Sequence, residues 1–420
     1  MKKVNLQTSY IGLVDCNNFF VSCERLFRPD LSHKPVLVLS ANDGCVISRS
    51  KEVKDLGIPM GVPHFEIRDR IKADGITVFS SNFALYRDIS KRVMQTVRSI
   101  ASDSEVYSID EAFFHVPQND AEAVARTIKQ RIEQWVGIPV SIGVGETKTI
   151  AKHMGTSAKK HTGVAIISPE ARNTLYDVSL REIWGVGRKT YEKLERCGVR
   201  TVGDVLRTGA VYMRTHLGIL GEQLYFELAG ITTRTKKIRT HHQSIMSSAS
   251  FGKKVKGAIT IEDALSYHVA QVAEKARQDE RVARDVSFSI RYEDADGATR
   301  IYTERVPLVP PSANTAYLTK AVLKAARPFF RSSFSYKKVG VVLSNVVTQE
   351  VVTGSLFFDT ESVCSSDELM KVFDAINMKH GRGSVRMATV QKTHAWKGRS
   401  GFVSDAYTTS WTGLPLVAIE

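Results

Sequence analysis

Apolar residues change their spacing from one segment of the chain to the next. Two short early runs, YIGLVD (10–15) and KPVLVLS (34–40), are apolar and rich in β-branched residues, which predicts strands. Between 83 and 100, Leu85, Ile89, Val93, Val97 and Ile100 recur every three or four residues, the spacing of an amphipathic helix. The longer apolar run EVYSIDEAFFHV (105–116) predicts one strand. Val124, Ile128, Ile132 and Trp135 mark another helix. IPVSIGVG (138–145) reads as a strand, TKTIAKHMGTSAKK (147–160) as a helix and GVAII (163–167) as a strand. Elements in this order suggest an α/β or split-βαβ layer.

Residues 176–240 read as mostly helical, punctuated by glycine. Residues 231–256 hold seven Lys/Arg and no Asp/Glu, with frequent Ser and Thr and a weak apolar pattern. This predicts a basic tether between domains, and a plain solvated loop fits the same residues. Mixed structure returns with a helix at 261–277, a strand DVSFSIRYE (285–293), a helix at 313–327 and a strand KKVGVVLSNVV (337–347). DELMKVFDAINMKHG (367–381) predicts a helix ending at Gly381, and the rest of the last segment reads as irregular.

The 420 residues exceed what one core accommodates, so several domains are expected. Hydrophobic content of 43% with 24% charged residues fits an ordinary globular protein. Lys+Arg number 58 against 44 Asp+Glu, a net charge of +14. Such an excess points to a polyanion, nucleic acid before an anionic membrane, unless the protein is simply basic. The five cysteines form no C-x-x-C pair, which argues against a disulfide framework or zinc knuckle and for a reducing, cytoplasmic setting. The N-terminal stretch lacks a cleavable signal pattern, and no apolar run is long enough to span a membrane. His241 and His242 lack the further ligand spacing of a metal site.

The charged residues inside YSIDEAFF change the picture. Asp110 and Glu111 interrupt an apolar strand, and Asp15 ends the first one. Three carboxylates on two strands of one sheet can converge, and convergence of like charges is costly without cations. Hard oxygen ligands without His or Cys select Mg²⁺, and two such ions suit in-line phosphoryl transfer. The alternative is an ordinary Asp-Glu at a strand edge. Neighbours on a regular strand face opposite ways, so joint ligation requires the strand to end, twist or bulge there.

VDCNNFFVSCE, NDGCVISRSKEVKDLGIPMG, YSIDEAFF and GVGETKTIAKHMGTSAKK resemble, in order, the motifs of Y-family translesion DNA polymerases. The resemblance runs through nearly the whole chain and is closest to the UmuC/MucB branch, which supplies the catalytic subunit of bacterial DNA polymerase V. It implies an α+β multidomain right hand: palm (1–30 and 81–175), small fingers (31–80), helical thumb (176–240), α/β little finger with the tether (241–350) and a C-terminal region (351–420). It implies Asp15, Asp110 and Glu111 as ligands of two Mg²⁺ ions, with the backbone carbonyl of Cys16 as a further ligand. Phe20 matches the steric-gate aromatic that excludes a 2′-hydroxyl, its alternative being a core Phe. Lys159 matches a triphosphate contact, and Ile47 and Ser48 match a small roof over the nascent base pair. Lys51 and Lys54 stand where the wider family has Tyr and Arg, so charge is kept and the bidentate fork is lost.

IWGVGRKTYEKL (183–194) reads as a helix–hairpin–helix in which Gly185 and Gly187 let amides approach a DNA phosphate, or as an ordinary αα-turn. Lys236, Lys237, Arg239, Lys253 and Lys254 are expected to grip the duplex by charge. TGSLFFD (353–359) sits at the place of a sliding-clamp peptide without its glutamine. Leu356, Phe357 and Phe358 keep an aromatic anchor, and equally suit a buried strand. The expected function is error-prone, template-directed DNA synthesis in an SOS-type damage response. Primer-template DNA and dNTP are the expected partners, and the resemblance adds a sliding clamp, a processed UmuD-type dimer and a RecA filament. It implies a cytoplasmic, nucleoid-associated protein. The rivals are a palm-type nucleotidyl cyclase and a non-catalytic DNA-binding accessory factor.

Overall fold

The computed structural model describes residues 9–234, 243–349, 360–398 and 400–410. The chain divides into two compact units, Met1–Lys237 with Gly401–Glu420, and Ile238–Ser400.

The first unit opens with β1 (Ser9–Cys16) and α1 (Phe19–Phe27). Then come β2 (Val36–Leu39), β3 (Val46–Arg49), α2 (Lys51–Asp55), α3 (Arg68–Ala73) and β4 (Thr77–Ser80). The amphipathic α4 (Phe83–Ile100) follows, then β5 (Ser104–Val106), β6 (Glu111–Pro117), α5 (Ala121–Trp135), β7 (Val140–Gly145), α6 (Lys148–Lys160) and β8 (Val164–Ile166). The main sheet runs β5-β6-β1-β7-β8, with β1 antiparallel to both its neighbours and β7 parallel to β8. A smaller sheet runs β3-β2-β4. The expected helix faces bury as the periodicity requires, with Leu85, Ile89, Val93 and Val97 against Ile128, Ile132 and the sheet. Trp135 is an exception: it is exposed, with the Arg131 guanidinium 5.3 Å from its ring centroid.

The helical part that follows holds α7 (Arg188–Arg196), α8 (Val202–Leu217) and α9 (Ile219–Leu228). Thr201 and Asp204 form a reciprocal capping box at the start of α8. Leu194, Val199, Val205 and Met213 lie in its core.

The second unit contains β9 (Ser244–Val255), α10 (Ala258–Gln278), β10 (Arg281–Glu293), β11 (Thr299–Ser312), α11 (Thr315–Ala326), β12 (Ser335–Thr348) and α12 (Thr360–His380). Its sheet runs β11-β10-β12-β9. The basic stretch is therefore shorter than the sequence suggested. Its second half is the edge strand β9, in which Ile245, Phe251 and Val255 are buried and small serines hide the alternation. Residues 390–396 fold back onto α10. There the buried Asp263 accepts from the Gln391 amide at 2.8 Å, His394 Nδ1 at 2.9 Å and Trp396 Nε1 at 2.7 Å.

Residues 401–410 return to the first unit, where Phe402 pairs with Ser80 and Tyr407 stacks on Phe27 at 4.5 Å. Among the described residues no helix is long and apolar enough to cross a membrane.

Candidate active site

The stretch 105–116 is a hairpin, not one strand. β5 ends at Val106, and β6 begins at Glu111. The turn forms because Ser and Asp offer the backbone local partners that compete with a ladder. The amides of Tyr107 and Ser108 both donate to the Glu111 carbonyl, at 3.0 and 3.1 Å. Ser108 Oγ donates to Asp110 Oδ1 at 2.5 Å. The Cys16 amide donates to the Asp110 carbonyl at 3.0 Å, which fastens the turn to the end of β1. Asp110 is thus freed from strand alternation, while Glu111 stands directly opposite Asp15 in the antiparallel register.

The three carboxylates are neighbours that feel one another. Burial pushes the Glu111 carboxyl up, Lys152 pulls it down, and Asp15 and Asp110 add repulsion. In this arrangement the positive charge comes from α6. Lys159 Nζ donates to Asp15 Oδ2 at 2.8 Å, Lys152 Nζ to Glu111 Oε2 at 2.9 Å and Lys148 Nζ to Glu105 Oε2 at 2.6 Å. The steps of four and seven residues put these lysines on one helix face. Convergence is accordingly incomplete: among the described residues, no three Asp, Glu, His or Cys side chains are gathered as a ready ion cage. Sequence reasoning foresaw three converging ligands and gave Lys152 no role. The donor set nonetheless suits a hard divalent cation, being three carboxylates beside a backbone carbonyl at Cys16. The Cys16 thiol is buried, and burial with the adjoining carboxylates keeps it protonated.

Of the other expected residues, Lys54 feels the charge of Asp15. Asn18 stands just before α1 in the left-handed region, φ 48°, and its side-chain oxygen accepts from Lys54 Nζ at 2.5 Å and makes no cap to the helix. Burial lowers the Lys54 pKa, Arg49 and Lys159 lower it further, and Asp15 opposes them. Lys54 and Lys159 therefore share one field. Ser48 is buried, with its hydroxyl 3.5 Å from the Asn18 carbonyl, and Ile47 packs against the first core. Lys51 is exposed. Sequence reasoning gave Asn18 no role, because its contact with Lys54 spans 36 positions. Phe20 is partly buried, stacked on Tyr86 at 4.6 Å and edge-on to Phe83 at 5.8 Å.

Gly185 has φ 91° and Gly187 caps α7, and both are exposed. Ile183 and Val186 anchor the hairpin in the helical core and leave Gly185, Gly187 and Arg188 exposed. In the second unit Lys253 and Lys254 lie on β9, not on a tether. With Arg291, Lys337 and Lys338 they line a shallow basic depression. Lys337 and Lys254 together hold the Glu293 carboxyl down at about 2. Lys236, Lys237, Arg239, His241, His242, Leu356, Phe357 and Phe358 lie outside the described residues.

The fold is that of Y-family DNA polymerases. It superimposes on a Y-family DNA polymerase chimera of Dbh and Dpo4 with a TM-score of 0.65, at 20% identity over 81% of this chain and 100% of that one. The chain belongs to the impB/mucB/samB family. Residues 14–156 match the impB/mucB/samB family model, and residues 242–356 match the model of that family's C-terminal domain. Residues 367–417 match a domain of unknown function. Protein UmuC of Salmonella typhimurium is 33% identical over 96% of this chain and 99% of its own length. DNA polymerase IV of Corynebacterium diphtheriae is 29% identical over 75% of this chain and 70% of its own length.

Proposed function

We propose that the chain is an error-prone, template-directed DNA polymerase of translesion synthesis, joining dNTPs to a primer 3′-hydroxyl. One observation carries the reading: the turn at 107–110 sets Asp110 and Glu111 beside Asp15, with Lys159 and Lys54 in the same field. In this reading the five-stranded sheet is the palm, the three-stranded sheet the fingers, the helical part the thumb and the four-stranded sheet the little finger.

Asp15, Asp110 and Glu111 would hold two Mg²⁺ ions, with the backbone carbonyl of Cys16 as a further ligand. When bound, the ions activate the attacking oxygen and neutralise the charge leaving with pyrophosphate. The protein's own part is positioning and charge. Lys159 and Lys54 meet the triphosphate as point charges, with Lys51 nearby in sequence. Phe20 closes the floor against a 2′-hydroxyl. Ile47 and Ser48 form a small roof that leaves room for a damaged base. The amides at Gly185 and Gly187, with Lys253 and Lys254, contact backbone phosphates and so read no sequence. A sliding clamp, a UmuD-type dimer and RecA are the protein partners this reading adds, in a nucleoid-associated setting.

Primer extension across an abasic site tests the reading, comparing wild type with Asp110→Asn. We expect extension by the wild type and a loss of about a hundredfold or more in the variant, on the scale of removing one preorganised charge. Equal extension by both proteins would overturn it.

A further inference from the structure

Lys152 occupies an unusual seat. Its ammonium lies 5.1 Å from the Tyr107 ring centroid and 5.2 Å from that of Trp184, while donating to Glu111 Oε2 at 2.9 Å. The two rings meet edge to face at 5.4 Å, and both pack on the buried Phe113, at 5.6 and 6.1 Å. On α6, Lys152 is one turn from Lys148, which lies 5.1 Å from the Phe113 ring and is committed to Glu105. The Arg234 guanidinium covers Trp184 at 4.1 Å. The Lys152 side chain retains 25% exposure and that of Glu111 12%. A lysine on a solvated helix face wanders among rotamers, but one held between two ring faces and a carboxylate does not. Glu111 is gripped through one oxygen, and a carboxylate has a second to offer an ion.

We propose that Lys152 is a positioning residue for Glu111, and that Trp184, immediately before the hairpin glycine Gly185, seats it. The proposal rests on the reading of Glu111 as an ion ligand. Partners that orient a metal ligand are worth about tenfold to a hundredfold in metal affinity or activity. The stack also gives the thumb hairpin a stake in the carboxylate, because its first aromatic holds the lysine that holds Glu111.

The test uses full-length protein with template, dNTP and a dideoxy-terminated primer, so no chemistry occurs. Mn²⁺ binding is followed by electron paramagnetic resonance. In parallel, the Mg²⁺ requirement for extension is measured with an unblocked primer. Lys152→Met should weaken Mn²⁺ binding and raise the half-saturating Mg²⁺ concentration by about tenfold or more, leaving the dNTP KM at saturating Mg²⁺ unchanged. Lys152→Arg should recover most of the loss. Trp184→Leu should shift both readouts the same way by a smaller factor, and Trp184→Phe should not. Unchanged Mn²⁺ affinity in Lys152→Met overturns the proposal. So does a defect confined to the dNTP KM or to primer binding, which would make Lys152 a substrate contact. A Lys152→Met protein that fails to fold, with Trp184→Leu folded and normal, also overturns it. Wild-type protein that neither binds Mn²⁺ nor extends primers would instead sink the ligand reading beneath it.

Discussion

Phe20 is braced before any nucleotide arrives. Its ring stacks on Tyr86, whose hydroxyl donates to the buried Glu24 at 2.6 Å, and Phe19 and Phe83 close two further sides. Burial raises the pKa of both Glu24 and Tyr86, and hydrogen bonds to the carboxylate oppose the rise at Glu24. In the proposed reading, this packing keeps the ring in place against a 2′-hydroxyl. Phe20→Ala should lower the dNTP-over-rNTP ratio of kcat/KM by about tenfold or more. Single-nucleotide incorporation with matched rNTP and dNTP checks this, and an unchanged ratio would leave Phe20 a packing residue only. His268 offers a second residue-scale prediction, in the other unit. Its Nδ1 meets Ser247 Oγ at 2.8 Å, and burial, then the charges of Lys397 and His394, hold its pKa down at about 4. The unfolded chain takes up that proton near pH 6.5. Between the two values the unfolded state binds more protons, so folded stability must fall as pH drops from about 6.5 toward 4. This single group accounts for a loss on the order of 3 kcal/mol by pH 4. Denaturant unfolding from pH 7 to 4.5 should show a shallower decline in His268→Leu than in wild type. Parallel curves would assign the acid sensitivity elsewhere.

At the scale of elements, the lysines reach the carboxylates only because α6 lies unusually close to β7. A Cβ built on Gly143 would sit 2.0 Å from the Gly155 amide nitrogen and 2.2 Å from the Ala151 carbonyl oxygen, both backbone atoms of α6. No rotamer change relieves such a clash, so Gly143→Ala must push the helix off the sheet. We expect a cost of about 1–3 kcal/mol, the usual range for overpacking, and a larger drop in extension activity as Lys152 and Lys159 lose their reach. Thermal melting with primer extension on the same sample separates the two effects; a wild-type melting temperature with wild-type activity would deny the close approach any role. Gly143 was legible only as part of an apolar strand, because its demand comes from a helix packed across it. The hairpin at 107–110 shows the same limit from the other side. Tyr, Ile and Phe around Asp110 carry the apolar signal of one strand, and that signal outweighed the Ser and Asp that make the turn. The need for a break there was nonetheless legible, since two adjacent carboxylates cannot face one site from a regular strand. β9 was missed because serines fill positions where larger β-formers announce a strand.

For the whole molecule, what the sequence disclosed and what it hid divide along contact distance. Motif residues such as Asp15, Asp110, Glu111 and Lys159 carry their chemistry with them. The pairing of Asp263 with Gln391, His394 and Trp396 joins residues 128 to 133 positions apart, and no local pattern announces it. Trp184 over Lys152 is hidden for the same reason. Net charge is the opposite case, a whole-chain property fully visible in the composition. The excess is +14. Part of it is placed where a phosphate backbone can use it, since Lys253, Lys254, Arg291, Lys337 and Lys338 line one depression. Lys254 and Lys337 are already half-committed to Glu293, at 2.9 and 2.5 Å, so Lys253 and Lys338 have the freer charges to give. Each phosphate neutralised by a lysine contributes about 0.9 to the slope of log affinity against log salt. Duplex affinity measured from low to physiological salt should therefore fall steeply for the wild type. Lys253→Ala with Lys338→Ala should reduce that slope by about two and weaken binding evenly across DNA sequences. A double variant with the wild-type slope would place the duplex off this face, and a flat wild-type curve would deny charge its part in the grip.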